Sequence, residues 1–217
     1  MKKSFLLCFL IFLCMEGYSQ KVRLGLRFAP GMAFSRVNEE VDSIEFKGKG
    51  VGVRFFAGPE INFVLGENYA FTTGLWYMTK RAGMQVKEFG IEQVFNVQYL
   101  QIPATLKLYT NDIAVDTKLY FQLGATADIK LKQKAVVQEV LKYVDNMRFF
   151  DASALMGTGI QLQMGQNTYF FAGLTYSRGL ISSISKVGER ITPTNKVLPE
   201  VKGLKNDLLA IDFGLRF

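Results

Sequence analysis

The sequence predicts an all-β fold, an eight-stranded antiparallel up-and-down transmembrane β-barrel with short periplasmic turns and four long extracellular loops. Three observations support this prediction. Apolar and polar residues alternate with a period of two along eight segments. These segments exceed the roughly 5–6 residues of ordinary strands and match the about 9–11 residues that cross a bilayer. Their connections alternate between short and long, which is typical of outer-membrane barrels.

The 217-residue chain begins with a predicted signal peptide at residues 1–19, and residues 20–217 form one predicted outer-membrane β-barrel domain. Lys2 precedes the apolar run Phe5 to Met15, and Gly17-Tyr18-Ser19 places small residues before a predicted cut at Gln20. An uncleaved anchor is the alternative. Both cysteines fall within this peptide, so the mature protein is expected to have no disulfide.

The alternating segments follow one another along the predicted mature chain. In chain order they are 22–29, 50–65, 69–82, 97–109, 117–131, 149–164, 168–180 and 209–217. No later run of apolar residues is long enough for a membrane-spanning helix, which needs about 20. The stretch Gln133 to Val144 is ambiguous, since it fits either a short helix or an extension of a hairpin.

The connections place the two ends of the predicted barrel. The short ones are Gly66 to Asn68, Thr110 to Asp116 and Gly165 to Asn167. The long, polar ones are Ser35 to Lys49, Gly83 to Asn96, Lys132 to Arg148 and Ile181 to Asn206. An even strand number puts both termini at the short-turn end, so the long loops are expected outside the cell.

The polar face of the segments is predicted to point into the lumen. It carries many glycines, which weaken a water-exposed strand but make room for large neighbours inside a narrow barrel. It also carries charges of both signs, namely Arg23, Arg27, Arg54, Lys80, Arg216, Glu60, Asp128, Asp151 and Asp212. Buried charges need partners, and an eight-stranded barrel has just enough interior for such side chains.

The apolar face is predicted to contact lipid. Aromatic residues lie near its segment ends, as expected of interfacial girdles: Phe28, Phe63, Tyr69, Tyr77, Phe121, Phe170, Tyr176 and Phe217. A soluble lipocalin-like binding barrel, with this apolar face inward, is the weaker alternative.

One short motif resembles a known family. The segment Tyr99-Leu100-Gln101-Ile102-Pro103, followed by Leu106-Lys107, resembles the Y-L-x-I-P…L-K stretch of the PorT-like outer-membrane β-barrel family. The resemblance extends to the Gly-rich strands and the terminal Phe217, and it implies an eight-stranded barrel in the outer membrane. The family is functionally mixed. Its founding member acts in secretion and gliding machinery, and no motif here carries that role over.

The sequence contains no candidate catalytic, cofactor or metal residues. The chain has no histidine, which removes Ser-His and Cys-His nucleophile pairs and histidine metal sites. Asp128 and Asp151 could act as an acid–base pair, but structural ion pairs are the favoured interpretation. The chain is therefore predicted not to be an enzyme, and a histidine-free enzyme is the weakest function class.

Two other patterns are interpreted as ordinary loops. Gly48 to Gly52 looks like a phosphate loop, but it lacks the Lys-Ser/Thr ending and the following helix. Glu39, Glu40, Asp42 and Glu45 would suit a divalent cation, although a solvated acidic loop is the favoured interpretation.

The sequence favours a structural or interaction role, carried out through the loops, and the resemblance to the PorT-like family implies an accessory to secretion or envelope machinery as one such role. A narrow pore or small-solute transporter is the alternative. The expected partners are the lipid bilayer of the outer membrane, the barrel-assembly machinery during insertion, and a protein partner that the sequence does not identify. The formal charge of +7 is spread along the chain, so no nucleic-acid partner is expected.

Overall fold

A computed structural model of the chain describes residues 22–41, 44–48, 51–86, 91–138, 144–187 and 203–217. The predicted signal peptide, the cut before Gln20 and both cysteines lie outside these residues and stay predictions. No helix in the described residues is long and apolar enough to cross a membrane.

Strands account for most of the described residues. In chain order they are β1 Val22–Arg36, β2 Asn38–Val41, β3 Ile44–Gly48, β4 Gly52–Val64, β5 Tyr69–Gly74, β6 Trp76–Val86, β7 Ile91–Ala114, β8 Thr117–Gln138, β9 Val144–Met147, β10 Phe150–Gln163, β11 Tyr169–Gly179, β12 Ile184–Val187 and β13 Lys205–Arg216.

The long strands close into a ring of eight positions, which confirms the predicted strand number. Each pairs antiparallel with its neighbour in chain order, and β13 returns to pair with β1, for example Arg216 opposite Gly25. The third position is shared by β5 and β6, which both pair with β4 and β7. The break lies opposite Pro59, which has no N–H to donate to the ladder.

One end of the barrel, which we call the turn end, carries the tight connections. The start of β1 and the end of β13 also lie there. The predicted turns at Gly66 to Asn68 and Gly165 to Asn167 are confirmed. The predicted turn Thr110 to Asp116 is shorter than expected, because β7 continues to Ala114. Asp116 has a φ of 53°, a left-handed conformation that a short polar side chain tolerates.

The four long connections lie at the opposite end, the loop end, but strands continue into them. Gly83 to Asn96 is mostly paired strand, with Met84 opposite Gln93, and β8 continues to Gln138. The ambiguous stretch from Gln133 is thus a hairpin extension as far as Gln138. Two extra residues on β8, Leu131 and Val136, interrupt the period of two on that strand, so alternation alone did not reveal its extension.

The other two long connections also contain strand. β2 and β3 form a hairpin within Ser35 to Lys49, and β3 adds to the edge of β6. β12, within Ile181 to Asn206, pairs with β9 in a separate two-stranded sheet.

Candidate functional site: the barrel lumen

The two faces of the strands are distributed as predicted. The residues on the apolar face point outward and are exposed, including Leu26 at 59% and Leu123 at 65%. The charged residues Arg27, Glu60, Lys80, Asp128 and Asp212 point inward and are buried. The lipocalin-like alternative is therefore wrong, because an apolar outer surface suits lipid and the polar face is enclosed.

The first part of the lumen is a group of charged side chains near the turn end, which we call the turn-side network: Arg27, Glu60, Lys107, Asp212 and Arg216. Arg216 Nε donates a hydrogen bond to Glu60 Oε1 at 2.5 Å. Lys107 Nζ lies 3.7 Å and Arg27 Nη1 3.9 Å from Glu60 Oε2. Arg27 also pairs with Asp212, which accepts a hydrogen bond from the Thr175 hydroxyl at 3.0 Å.

Aromatic rings pack against these cations. The Arg216 guanidinium lies 4.1 Å from the ring centre of Phe171, and the Arg27 guanidinium lies 4.8 Å from that of Trp76. Trp76 itself stacks on Phe56 at 5.1 Å between ring centres. Rings and cations together occupy the middle of the lumen.

Glycines leave room for these rings, as the sequence predicted. A Cβ added at Gly214 would lie 2.6 Å from Phe171 Cζ. At the paired residues Gly159 and Gly173, an added Cβ would lie 2.7 and 2.5 Å from the Tyr120 hydroxyl. The glycines therefore fix the positions of the two aromatic side chains.

A second group, the loop-side network, consists of Lys80, Gln101, Asp128, Asp151 and Ser153. Lys80 Nζ lies 2.6 Å from Asp128 Oδ2 and 3.4 Å from Asp151 Oδ2. The Gln101 side-chain amide donates to Asp128 Oδ1 at 2.7 Å. Asp128 and Asp151 are thus neighbours, as an acid–base pair would be, but both are buried around one lysine. This arrangement supports the structural interpretation of the pair.

Beyond this network, toward the loop end, the lumen is mainly apolar, with Ser183 and Asn206 as buried polar residues. The inward residues of β6 that follow Lys80 are Ala82, Met84 and Val86. They belong to a buried cluster contributed by many strands, including Val97, Met147, Leu155, Ile184, Leu204 and Leu208. Alternation did not predict this apolar plug, because Val97 and Leu155 are apolar residues on the polar face of predicted strands, and Met84, Met147 and Ile184 lie in predicted loops.

The lumen opens only partly at the turn end, where the described residues line a cavity of about 700 Å³, which we call the vestibule. Its polar lining includes Arg23, Tyr109, Lys118, Tyr169 and Arg216. Arg216 belongs to the turn-side network, so this network forms the inner wall of the vestibule.

Two charged residues differ from the predicted set of interior charges. Arg54, predicted inside, lies near the loop end and donates hydrogen bonds to the Val53 carbonyl and the Asn96 side chain. Lys107 was not among the predicted interior charges, although alternation had placed it on the polar face.

The structure describes only part of the two sequence patterns that were interpreted as ordinary loops, the glycine-rich segment and the acidic cluster. Gly48 ends β3 and Gly52 starts β4, a strand instead of the helix that a phosphate loop requires. Glu39, Glu40 and Glu45 lie on the β2–β3 hairpin, and their side chains and Asp42 lie outside the described residues. Among the described residues, no three acidic, cysteine or histidine side chains are grouped as a metal site requires.

The closed ring of long strands, its apolar outer surface and its filled, charged lumen define an outer-membrane β-barrel. Residues 18–185 match the model of the family described as outer membrane protein beta-barrel domain. The chain belongs to this family and is located in the outer membrane. No curated protein matches it.

Solved structures of outer-membrane proteins are similar to this chain. OprG from Pseudomonas aeruginosa has 12% identity over 91% of this chain and 97% of its own, with a TM-score of 0.52. Neisserial surface protein A has 12% identity over 89% and 97%, with a TM-score of 0.46. Ail of Yersinia pestis, in complex with the heparin analogue sucrose octasulfate, has 14% identity over 91% and 99%, with a TM-score of 0.42. At such identities the likeness to OprG concerns the fold.

Proposed function

We propose that this barrel does not conduct and has a structural or interaction role, carried out by its loop end. The observation that supports the proposal is the filled lumen. Two buried networks and the apolar plug occupy the interior between the vestibule and the loop end. Opening a path would require breaking buried ion pairs, each break costing roughly 3–5 kcal/mol.

The extended strands supply the surface for such a role. Past the lipid-facing residues Tyr77 and Leu100, β6, β7 and β8 continue side by side with polar side chains on the same face. Two cross-strand rows form this outer polar patch: Thr79, Gln98 and Lys132, then Arg81, Asn96 and Lys134. Lysine and arginine dominate its charge, so an acidic partner surface would be complementary.

The partner is proposed to belong to secretion or envelope machinery. This finer assignment rests on the overall resemblance to the PorT-like family, since the motif itself, Tyr99 to Pro103 with Leu106 and Lys107, does not carry the role. The motif's inward side chains take part in the lumen: Gln101 in the loop-side network, Lys107 in the turn-side network, and Tyr99 with its ring 5.1 Å from Lys80 Nζ. The motif residues therefore have a structural role inside the barrel, and this role does not depend on a particular protein partner.

Site-specific photo-crosslinking in native outer membranes tests the interaction role. A photo-reactive side chain replaces exposed Lys134 on the patch, and the matched control carries it at exposed Gln166 in a tight turn at the other end. We expect a discrete protein adduct from position 134 that is lost when Arg81 and Lys132 are changed to Glu. No adduct from position 134 would contradict the proposal.

A narrow pore is the second candidate, and the vestibule is the observation that favours it. Planar-bilayer recording separates the two functions. We expect no stable conductance from the purified wild-type barrel. Steady nanosiemens-scale channels would support the pore and overturn the proposal of a non-conducting barrel.

A further inference from the structure

The buried charges around the vestibule do not balance. In the turn-side network three cations, Arg27, Lys107 and Arg216, face two carboxylates, Glu60 and Asp212. Arg23, at the mouth, adds a further positive charge and donates a hydrogen bond to the Tyr169 hydroxyl at 3.1 Å. Such a positive excess in a barrel interior is costly unless another negative group compensates it.

Two of these cations also have unused hydrogen-bond donors. Lys107 Nζ is buried and has no hydrogen-bond acceptor, and Glu60 Oε2, 3.7 Å away, is buried without a hydrogen-bond donor. Arg216 Nη2 is likewise buried without an acceptor. The remaining nitrogens of Arg216 donate to Glu60 at 2.5 Å, Gln161 at 2.6 Å and the Tyr109 hydroxyl at 3.0 Å. Of the two side chains, Arg216 lines the vestibule and Lys107 does not, so the unused Arg216 donor is the one that indicates an anionic partner there.

The vestibule offers space for that partner. Its volume of about 700 Å³ is within the range of small-ligand sites, and Arg23, Lys118 and Arg216 line it. Glu67, in the turn after β4, is the carboxylate on the lining, and Lys118 also lies 3.9 Å from exposed Asp112. Three basic side chains on the lining thus face one carboxylate, and behind the lining Arg216 is paired with Glu60.

We propose that the vestibule binds a small anion through a phosphate or carboxylate group, which enters from the periplasmic side. The anionic group accepts hydrogen bonds from Arg216 at the inner wall and from Arg23 at the mouth. Guanidinium groups suit both phosphate and carboxylate, since they donate several hydrogen bonds in one plane. The proposal does not depend on a loop-end partner.

Calorimetric titration of the full barrel in nanodiscs tests the proposal, with inorganic phosphate, acetate and chloride as probes at matched ionic strength. We expect saturable binding of phosphate or acetate beyond any chloride effect, and the stronger of the two identifies the anionic group. Arg23→Gln should weaken this binding about tenfold, as the loss of one charge-assisted hydrogen bond implies. The matched control Arg178→Gln, exposed on β11 at the other end, should leave it unchanged.

Arg23 lies outside the turn-side network, so its variant is expected to fold, and the gel mobility of the unheated protein checks this. Crystals soaked in selenate give a second readout, an anomalous peak in contact with Arg216 and Arg23. The proposal is overturned if phosphate and acetate bind no better than chloride. It is also overturned if Arg23→Gln and Arg178→Gln weaken binding equally, or if selenate shows no peak in the vestibule.

Discussion

Glu60 is the residue on which the cations of the turn-side network converge. Its carboxylate is within 3.9 Å of nitrogens from Arg27, Lys107 and Arg216, and it also accepts a hydrogen bond from the Asn62 side chain at 3.1 Å. The three basic partners come from three different strands, and Asn62 lies on the strand of Glu60 itself. One acidic side chain therefore ties together the inner faces of β1, β4, β7 and β13.

Glu60→Gln should destabilise the barrel by about 3–5 kcal/mol, because it leaves buried cations without compensation. Urea unfolding in lipid vesicles, followed by the fluorescence of the single tryptophan, Trp76, measures this change. Glu67→Gln in an exposed turn is the matched control and should change stability little. A loss below about 1 kcal/mol for Glu60→Gln would show that the network is not needed for stability.

Gly214 allows a second test at the scale of single residues. A Cβ there would lie 2.1 Å from the Leu26 carbonyl oxygen and 2.6 Å from the Phe171 ring. Gly214→Ala should therefore cost about 1–3 kcal/mol by overpacking, in the same unfolding assay. Gly66→Ala is the control, since its Cβ would meet only Tyr69 at 3.8 Å. Equal stabilities of the two variants would argue against a packing role for Gly214.

At the scale of elements, β13 closes the ring. Phe217, at the end of this strand, donates from its N–H to the Leu24 carbonyl at 2.8 Å, and the Leu24 N–H donates back at 3.0 Å. Phe213, on the lipid-facing side of β13, lies edge-on to Phe28 of β1 at 5.4 Å between ring centres. An open edge in hydrocarbon would leave such backbone groups unpaired, at a cost of several kcal/mol each.

Deleting Leu215 to Phe217 should abolish insertion, because the strand loses both this pairing and a terminal aromatic residue. We expect this terminus to be recognised by the barrel-assembly machinery. Membrane fractionation of the cells measures the outcome, with degraded or aggregated periplasmic protein expected. Phe217→Tyr is the matched control and should insert normally. The assembly role is wrong if the truncated chain reaches the outer membrane.

At the scale of the whole molecule, the ring is closed by backbone hydrogen bonds and filled by side chains that pair across it. Arg27 and Asp212 are 185 residues apart, and Arg216 and Glu60 are 156 apart. Contacts of this kind form only when the barrel closes. The closed barrel should therefore unfold as a unit.

This cooperativity predicts a difference in gel mobility before and after boiling, since a closed barrel resists detergent until it is heated. The intact mass of the same purified protein should equal that of residues 20–217, because residues 1–19 are expected to be removed. Mass spectrometry and unboiled gels measure the two properties. A retained Met1 would contradict the predicted cleavage, and identical mobilities would contradict a detergent-resistant barrel.

The sequence alone predicted the strand number, the lipid-facing set and the side on which the charges lie. These features follow from local alternation, since every second residue of a strand shares a face whatever its neighbours are. The tight turns at Gly66 and Gly165 were predictable for a similar reason, because short polar segments between apolar strands have few other conformations. The alternation also put Lys107 on the inner face, although its role there was not foreseen.

Only the tertiary structure decided which charges meet. Arg27 pairs with Asp212 and Lys80 with Asp128, because the register of the closed ring sets their heights in the lumen. It also decided that β7 and β8 run past the membrane and that their inner residues form an apolar plug. The extra residue Leu131, beside Lys130 opposite Tyr99, changes which residues of β8 face inward, because a one-residue shift reverses the faces of a strand. Alternation carries no information about which residues pair across the lumen. The excess of positive charge at the vestibule could therefore not be predicted from the sequence alone.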